Sequence, residues 1–491
     1  MWNRTFLQSA LGFSVLLFGS FSNSEKEDSK KPNIVYILAD DLGYADVSPI
    51  APDYCKIPTP NIERLAEEGM RFTNAHAGAS VSTPTRYGLL TGRYSWRTRL
   101  QSGVVVGDHP PLIAADRMTV AGLLKKQGYH TAIVGKWHLD YTYADPETRE
   151  RISPENTSGR SAGVPPGTLI PDGPVTRGFD YFFGFHHHRA MRTIVKNNRV
   201  IREIEPVEMM PLLTKKAVEY IEKGQDNQPF FLYVPFSAPH GPIVPSREWE
   251  GKSGMGKHAD FVMQLDGSVG QVLKALDDEE LTENTLVIFS SDNGTSPNAD
   301  IDHLEDQGHF PVAWLRGHKA DIWDGGHKVP FIARWPGEIA AGSFSDETIC
   351  HVDFMATCAD LMDIQLSETV SEDGVSFLPA LFNKSLNRSR EAIVHHSIQG
   401  NFAIRKGKWK LIFCAGSGGW SSPGDKQALE QGLPKIQLYN IRKDASETTN
   451  LCKRHPEVVE ELTSLMEEYI DEGRSTDGKK MNNDVEVELW K

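Results

Sequence analysis

Four short apolar runs, each followed at once by chemically capable residues, constrain this chain more than any other feature. Residues 33–39 (NIVYILA) run into Asp40 and Asp41, and residues 131–135 run into Lys136, Trp137 and His138. Residues 230–236 lead to His240, and residues 285–291 to Asp292, Asn293 and Gly294. Runs of this length without polar alternation suit strands buried on both faces, as in a parallel sheet. Amphipathic stretches at 59–69, 118–128, 211–224 and 261–276 read as helices. Strands alternating with helices predict an α/β domain, a large mostly parallel sheet sandwiched by helices. Ligands in such folds bind at the carboxyl ends of the strands. The polar residues are therefore expected on one edge, far apart as they are in sequence.

Taken singly, an Asp-Asp after a strand is a turn or a cap, and a Lys-x-His is a solvated surface. Four strand ends that together carry Asp, Asn, Lys and His are harder to explain that way. The Asp pair and the Asp-Asn pair supply four oxygen donors, which suits a hard cation such as Ca²⁺ or Mg²⁺. No close His/Cys set is evident at the same ends, which disfavours zinc. Lys136, His138 and His240 donate hydrogen bonds and carry protons, as an anion gathering charge on its oxygens requires.

With 52 Lys and Arg against 66 Asp and Glu, the 491-residue chain carries a formal charge of −14. That argues against nucleic acid or an anionic membrane surface as a partner, though not against a small anion in a local recess. The length allows a large core without disulfide support. Five widely spaced cysteines make neither a disulfide framework nor a zinc pattern, although Cys350 and Cys358 are close enough in sequence to pair. At the N-terminus, Arg4 precedes an apolar run over 6–18 and then Gly19 and Ser20, a secretory signal pattern. The run is shorter than the ~20 apolar residues of a spanning helix. A membrane anchor is the alternative. Residues 1–24 are thus expected to be a signal peptide and 25–31 a flexible leader, with no stable membrane insertion.

A further segment reads Ser82-Thr-Pro-Thr-Arg86, then Thr91-Gly92. Thr83 is expected as an N-cap and Pro84 as the first helical residue, with Ser82 just ahead of a helix end that favours anions. This segment resembles the signature of type I sulfatases, Cys or Ser-x-Pro-Ser/Ala-Arg followed by Thr-Gly, with Thr85 where Ser or Ala is usual. The second signature of that family is matched by residues 128–138 (GYHTAIVGKWH). Further matches follow in the family's order at 32–43, 177–180, 238–240, 291–294, 316–319, 438–444 and 450–451, covering nearly the whole mature chain.

The resemblance implies an alkaline-phosphatase-like fold and a sulfuric ester hydrolase. In the family, the residue at the Ser82 position is converted to Cα-formylglycine. Asp40, Asp41, Asp292 and Asn293, with Ser82, match the calcium site; Arg86, Lys136, His138, His240 and Lys319 match the catalytic and sulfate-binding positions. A serine there implies the radical-type maturation enzyme as a partner, and so a bacterial protein exported to the periplasm or secreted. A phosphoester or phosphonate hydrolase on the same fold, and a silent sulfoglycan-binding protein with unconverted Ser82, are the alternatives.

The catalytic domain is expected over 32–385 and a smaller α+β subdomain over 386–491. The latter has a hairpin at 402–413 turning at Lys406-Gly407, a strand at 436–441 and an amphipathic helix at 455–472, with a surface loop over 416–434. Candidates for substrate contact are His186, His187, His188 and Arg189, together with Asp108 and His109; Trp314 and Trp323 are weaker ones. The favoured substrate is the end of a sulfated carbohydrate, a galactose or N-acetylgalactosamine type of sugar.

Overall fold

The computed structural model describes residues 31–107, 109–152, 164–224, 228–386 and 390–491. The expected signal peptide and most of the leader, as well as Asp108, lie outside the described residues. Ten strands form the main sheet: Asn33–Asp40 (β1), Met70–Phe72 (β2), His130–Lys136 (β3), Tyr181–Phe185 (β4), Thr193–Lys196 (β5), Arg199–Glu203 (β6), Phe230–Pro239 (β7), Thr285–Ser291 (β8), Phe331–Arg334 (β9) and Ser343–Ser345 (β10). Their order is β10-β2-β9-β8-β1-β7-β3-β4-β5-β6. The five central strands, β8 through β4, are parallel, and antiparallel pairs appear toward both edges. The four apolar runs are four of those five central strands, where both faces are covered.

Alternation along β1 divides the core. Ile34, Tyr36 and Leu38 face one layer, built by Ser82–Thr91 (α2), Val120–Lys126 (α3) and Phe354–Leu361 (α6). Val35, Ile37 and Ala39 face the other, built by Pro60–Glu67 (α1), Met209–Glu222 (α4) and Lys257–Asp278 (α5). In α5 the buried Phe261, Leu265, Val269, Val272 and Leu276 recur at helical spacing. Each such side chain contributes ~1.5–3 kcal/mol when fully buried.

Helix α2 departs from the expected start. Val81, in extended conformation (φ −146°), is the N-cap and Ser82 is already the first helical residue. Pro84 is third, which the helix tolerates because first-turn N–H groups have no intrahelical partner. The Thr83 hydroxyl is not a cap; it accepts the backbone N–H of Val105 at 3.3 Å.

Four antiparallel strands form the C-terminal sheet: Ile393–His396 (β11), Phe402–Lys406 (β12), Trp409–Ile412 (β13) and Gln437–Asn440 (β14). The hairpin turns one residue later than expected, at Gly407 and Lys408, because Lys406 still pairs with Trp409 and Gly407 supplies φ 57°. The expected loop over 416–434 carries a short helix, Asp425–Glu430 (α7). Pro456–Asp471 (α8) buries Leu462, Leu465, Met466 and Tyr469 in a core shared with Phe402, Ile404 and Leu411. All five cysteines are free, so Cys350 and Cys358 do not pair. Pro32–Lys491 is one compact unit.

Candidate active site

β1 and β8 end in register, Ala39 opposite Ser291, so Asp40–Asp41 and Asp292–Asn293 leave the sheet side by side. The Asp41 N–H donates to Asp292 Oδ1 at 3.1 Å, and Asn293 Nδ2 to Asp41 Oδ1 at 2.8 Å. Asp41 sits at φ 67°, the left-handed region that Asp tolerates better than most residues, and this turns the chain out of β1. β7 places Pro239 opposite Asp40, so His240 follows on the same edge, its Nε2 3.5 Å from Asp41 Oδ2.

Helix α2 delivers Ser82 to this edge. Its Oγ lies 3.3 Å from Asp40 Oδ1 and 3.4 Å from Asn293 Oδ1. Arg86, one turn on, donates from Nε and Nη2 to Asp292 Oδ2 at 3.1 and 2.7 Å, and from Nη1 to the Lys136 carbonyl at 3.2 Å. Lys136 Nζ donates to Asp40 Oδ2 at 2.6 Å, and Lys319 Nζ to Asp41 Oδ2 at 2.7 Å. The path of β3 into Lys136 depends on glycine at the neighbouring strand, since a Cβ on Gly184 would lie 1.8 Å from the Gly135 carbonyl oxygen.

Three carboxylates thus face three cations, all buried. Burial raises the Asp41 carboxyl, but His240 and Lys319 together hold it below the usual carboxylate value. Burial draws Lys136 below the usual lysine value, against the pull of Asp40. It also lowers His240 to about 3 and takes His138 well below the usual imidazole value. The donors that meet at the strand ends are carboxylate and amide oxygens, a set that fits a hard divalent cation. Asp40, Asp41 and His240 offer ligand atoms within 4.8 Å of one another, a candidate metal site. A histidine therefore does stand beside the acidic pair, although oxygens dominate.

His138 is held just past β3 at φ 56°, its N–H on the His186 carbonyl at 2.8 Å. The ring Nε2 meets the Val105 carbonyl at 3.1 Å, and Nδ1 is buried without a hydrogen-bond partner. His186 and His187, candidates for substrate contact, are buried and turned into the fold. His187 Nε2 bonds the Val106 carbonyl at 2.9 Å, and its ring lies over His138 at 5.7 Å. His186 packs edge-on against Tyr141, with Nε2 3.2 Å from Asp140 Oδ1. His188 is only partly buried and packs against His240, ring centroids 4.6 Å apart. Arg189 and His109 are exposed. Trp323 is a core residue bonded to Gln437, and Trp314 packs on Tyr44 and Tyr54.

Asp140 belongs to the same neighbourhood, though no sequence motif singles it out. It is fully buried at φ 60° and accepts the Gly107 N–H at 2.9 Å. Its position two residues beyond His138 in the same strand-end run was a signal open to reading. The backbone carbonyls of Val105 and Val106 have no such signal.

The family model described as Sulfatase matches residues 32–364. The chain is 34% identical to an N-acetylgalactosamine-6-O-sulfatase of Bacteroides thetaiotaomicron, over 90% of this chain and 93% of that one. A solved sulfatase from work on glycosaminoglycan metabolism in the same organism matches with a TM-score of 0.77 at 30% identity, covering 90% of this chain and 99% of its own. A phosphonate monoester hydrolase of Agrobacterium radiobacter shares the fold alone, at a TM-score of 0.58 and 17% identity over 89% of this chain and 96% of its own. On an alkaline-phosphatase-like fold, and with more than half of its length matched by the family model, the chain belongs to the sulfatase family and is a sulfuric ester hydrolase.

Proposed function

We propose that the protein removes sulfate from the end of a sulfated carbohydrate, with a galactose or N-acetylgalactosamine type of unit favoured. The observation that carries this is the place of Ser82: at the head of α2, within 3.4 Å of Asp40 and Asn293 oxygens, in a recess ringed by Arg86, Lys136 and Lys319. The likeness to an N-acetylgalactosamine-6-O-sulfatase supports the sugar class. Asp40, Asp41, Asp292 and Asn293 would hold a calcium ion, which supplies positive charge beside the nucleophile and the sulfate oxygens. A formylglycine at position 82, as its hydrate, would supply one hydroxyl for attack on sulfur and a second whose deprotonation re-forms the aldehyde as the carbon–oxygen bond to sulfate breaks.

The chain's own residues do the rest. Arg86 favours the ionised form of the attacking oxygen, and Lys136 and Lys319 offset the charge of the sulfate oxygens. Lys319, or His240 once the bound sulfate anion has drawn a proton onto its ring, gives a proton to the departing sugar oxygen. His138, kept neutral by burial, takes a proton at Nδ1 from the second hydroxyl. The N-terminal apolar run supports export to the periplasm or beyond, and a serine at position 82 supports maturation by a radical-type enzyme.

The test is a panel of defined sulfated mono- and disaccharides, with a phosphate ester at equal concentration, given to protein from a maturing host. Mass analysis of the peptide containing residue 82 accompanies it. Expected are sulfate release from a galactose-type sugar and a residue 82 lighter than serine by two hydrogens. Preference for the phosphate ester would overturn the reaction class, and an unmodified serine in active protein would overturn the nucleophile.

A further inference from the structure

Residues 105–107 form a strap held at four successive points. The Val105 N–H is on the Thr83 hydroxyl at 3.3 Å, next to Ser82 in α2. The Val105 carbonyl meets His138 Nε2 at 3.1 Å, and the Val106 carbonyl meets His187 Nε2 at 2.9 Å. The Gly107 N–H is on Asp140 Oδ1 at 2.9 Å. Gly107 has φ 89°, and a Cβ there would lie 3.4 Å from His187 Nε2, so the strap passes close over that ring.

A carbonyl oxygen can only accept, so the Val105 contact requires the proton of His138 to sit on Nε2. Nδ1 is then the lone pair, and it is the buried atom with no partner in the fold. The same logic fixes His187: Nε2 donates to Val106, and Nδ1 accepts the Arg189 N–H at 3.2 Å. The neutral His187 ring, lowered to about 2 chiefly by burial, lies over His138 without adding charge.

We propose that Asp140 is a positioning residue for His138. By holding Gly107 it sets the strap whose Val105 carbonyl selects the Nε2–H tautomer and leaves Nδ1 free as the base. Asp140 is built for the task. It is fully buried, its other carboxylate oxygen is 3.4 Å from Arg99, and its own carbonyl takes the indole N–H of Trp137 at 2.9 Å. Trp137, the residue before His138, is therefore tied to the same residue as the strap.

Two variants separate positioning from simple support. Asp140→Gly removes the carboxylate and suits φ 60° without strain. Asp140→Asn also suits that conformation and keeps an oxygen for Gly107. The primary readout is the ¹⁵N pattern of His138 in full-length, ¹⁵N-histidine-labelled protein, assigned by loss of the signal in His138→Gln. Wild type and Asp140→Asn should show Nε2 protonated and Nδ1 bare, and Asp140→Gly should show the other tautomer or a mixture. A wild-type His138 protonated at Nδ1, or a pattern unmoved in Asp140→Gly, would overturn the proposal.

The kinetic arm rests on the proposed role of His138 in sulfate release. That step follows cleavage of the substrate, so Asp140→Gly should lower kcat and KM together by ~10-fold and leave kcat/KM within about twofold, with Asp140→Asn near wild type. A raised KM at unchanged kcat in Asp140→Gly would overturn it. The labelling result stands whether or not the sugar sulfate assignment does, so failure of one is visible apart from failure of the other.

Discussion

Among the described residues, two groups of side chains have the composition of a metal site, and only one has the geometry. The first is Asp40, Asp41 and His240 at the strand ends; the second is His76, His327 and His395, where the catalytic sheet meets the C-terminal sheet. In the second, the rings of His327 and His395 stack at 3.8 Å and 12°, so their in-plane lone pairs do not converge on one ion. Arg405 and Lys410 also stand 2.8 and 3.1 Å from ring nitrogens of His76 and His327, where a further cation would be repelled. In the first group the cations sit on the carboxylates, and Asp40 Oδ1 also lies 3.3 Å from the Ser82 hydroxyl. The second group works as a fastening: Lys410 of β13 donates to Asp324 and to the Ile322 carbonyl and lies 2.8 Å from Glu447, all sealed from solvent. Buried charge can thus be gathered beside a candidate nucleophile or used to join segments, and what stands next to the carboxylates, Ser82 in one case and Lys410 in the other, tells which.

The sharpest way to break this contrast is to remove one lysine from each network. Lys410→Met leaves Asp324 and Glu447 buried without their shared cation, which costs about 3–5 kcal/mol of stability by urea titration. Burial already raises the Glu447 carboxyl to about 7, so part of that loss should be relieved at lower pH. Activity per folded molecule should stay within about twofold of wild type; a large loss would mean that the fastening and the site are not separate. Lys136→Met should do the reverse. With a sulfated sugar as substrate, kcat/KM falls ~10²–10³-fold, equivalent to about 3–4 kcal/mol. Its stability should change less than that of Lys410→Met, because Asp40 keeps Arg86 at 3.5 Å. A smaller activity loss than ~10-fold would remove Lys136 from the sulfate-binding set.

Calcium sharpens the same comparison. Chelation should abolish activity, and calcium added back at about a hundred times its Kd should restore both activity and ~2.7 kcal/mol of stability. A His76→Asn variant should respond to calcium as wild type does, since its ring takes no part in the site. A response lost in that variant would put the ion in the second cluster.

The contrast also marks what the sequence allows one to read. Asp40–Asp41, Lys136–His138, His240 and Asp292–Asn293 were legible because each closes an apolar run, and parallel strands in register must bring such ends together. The start of α2 was misplaced by two residues because Thr83 has two uses, and the one it takes, bonding Val105, depends on a loop 22 residues away. The histidine run at 186–188 suggested a binding loop, but its first two members turn inward, a choice made by Asp140 and by the carbonyls of the strap. The second cluster was invisible: His76, His327, His395, Lys410 and Glu447 come from five separate segments, and none ends a strand pattern that points at the others.

The smallest effect tests that cluster through protons. Burial keeps His76 and His327 well below the usual imidazole value, and His395 at about 3. The folded protein holds these rings neutral, whereas the unfolded chain protonates them near pH 6.5. Each ring therefore lends stability that is present in full above about pH 6.5 and is lost as pH falls toward the folded value. The loss is about 1.4 kcal/mol per pH unit for each ring that takes up a proton on unfolding. His395→Gln can still donate to the Ala77 carbonyl, which His395 meets at 2.9 Å from Nδ1, and it cannot titrate. Urea midpoints measured from pH 7 to pH 5 should fall less steeply in this variant than in wild type, by about one proton in the slope. An equal slope would mean that His395 is already protonated in the folded state, facing Lys410 and Arg405, and the account of the cluster as neutral rings between fixed charges would fail.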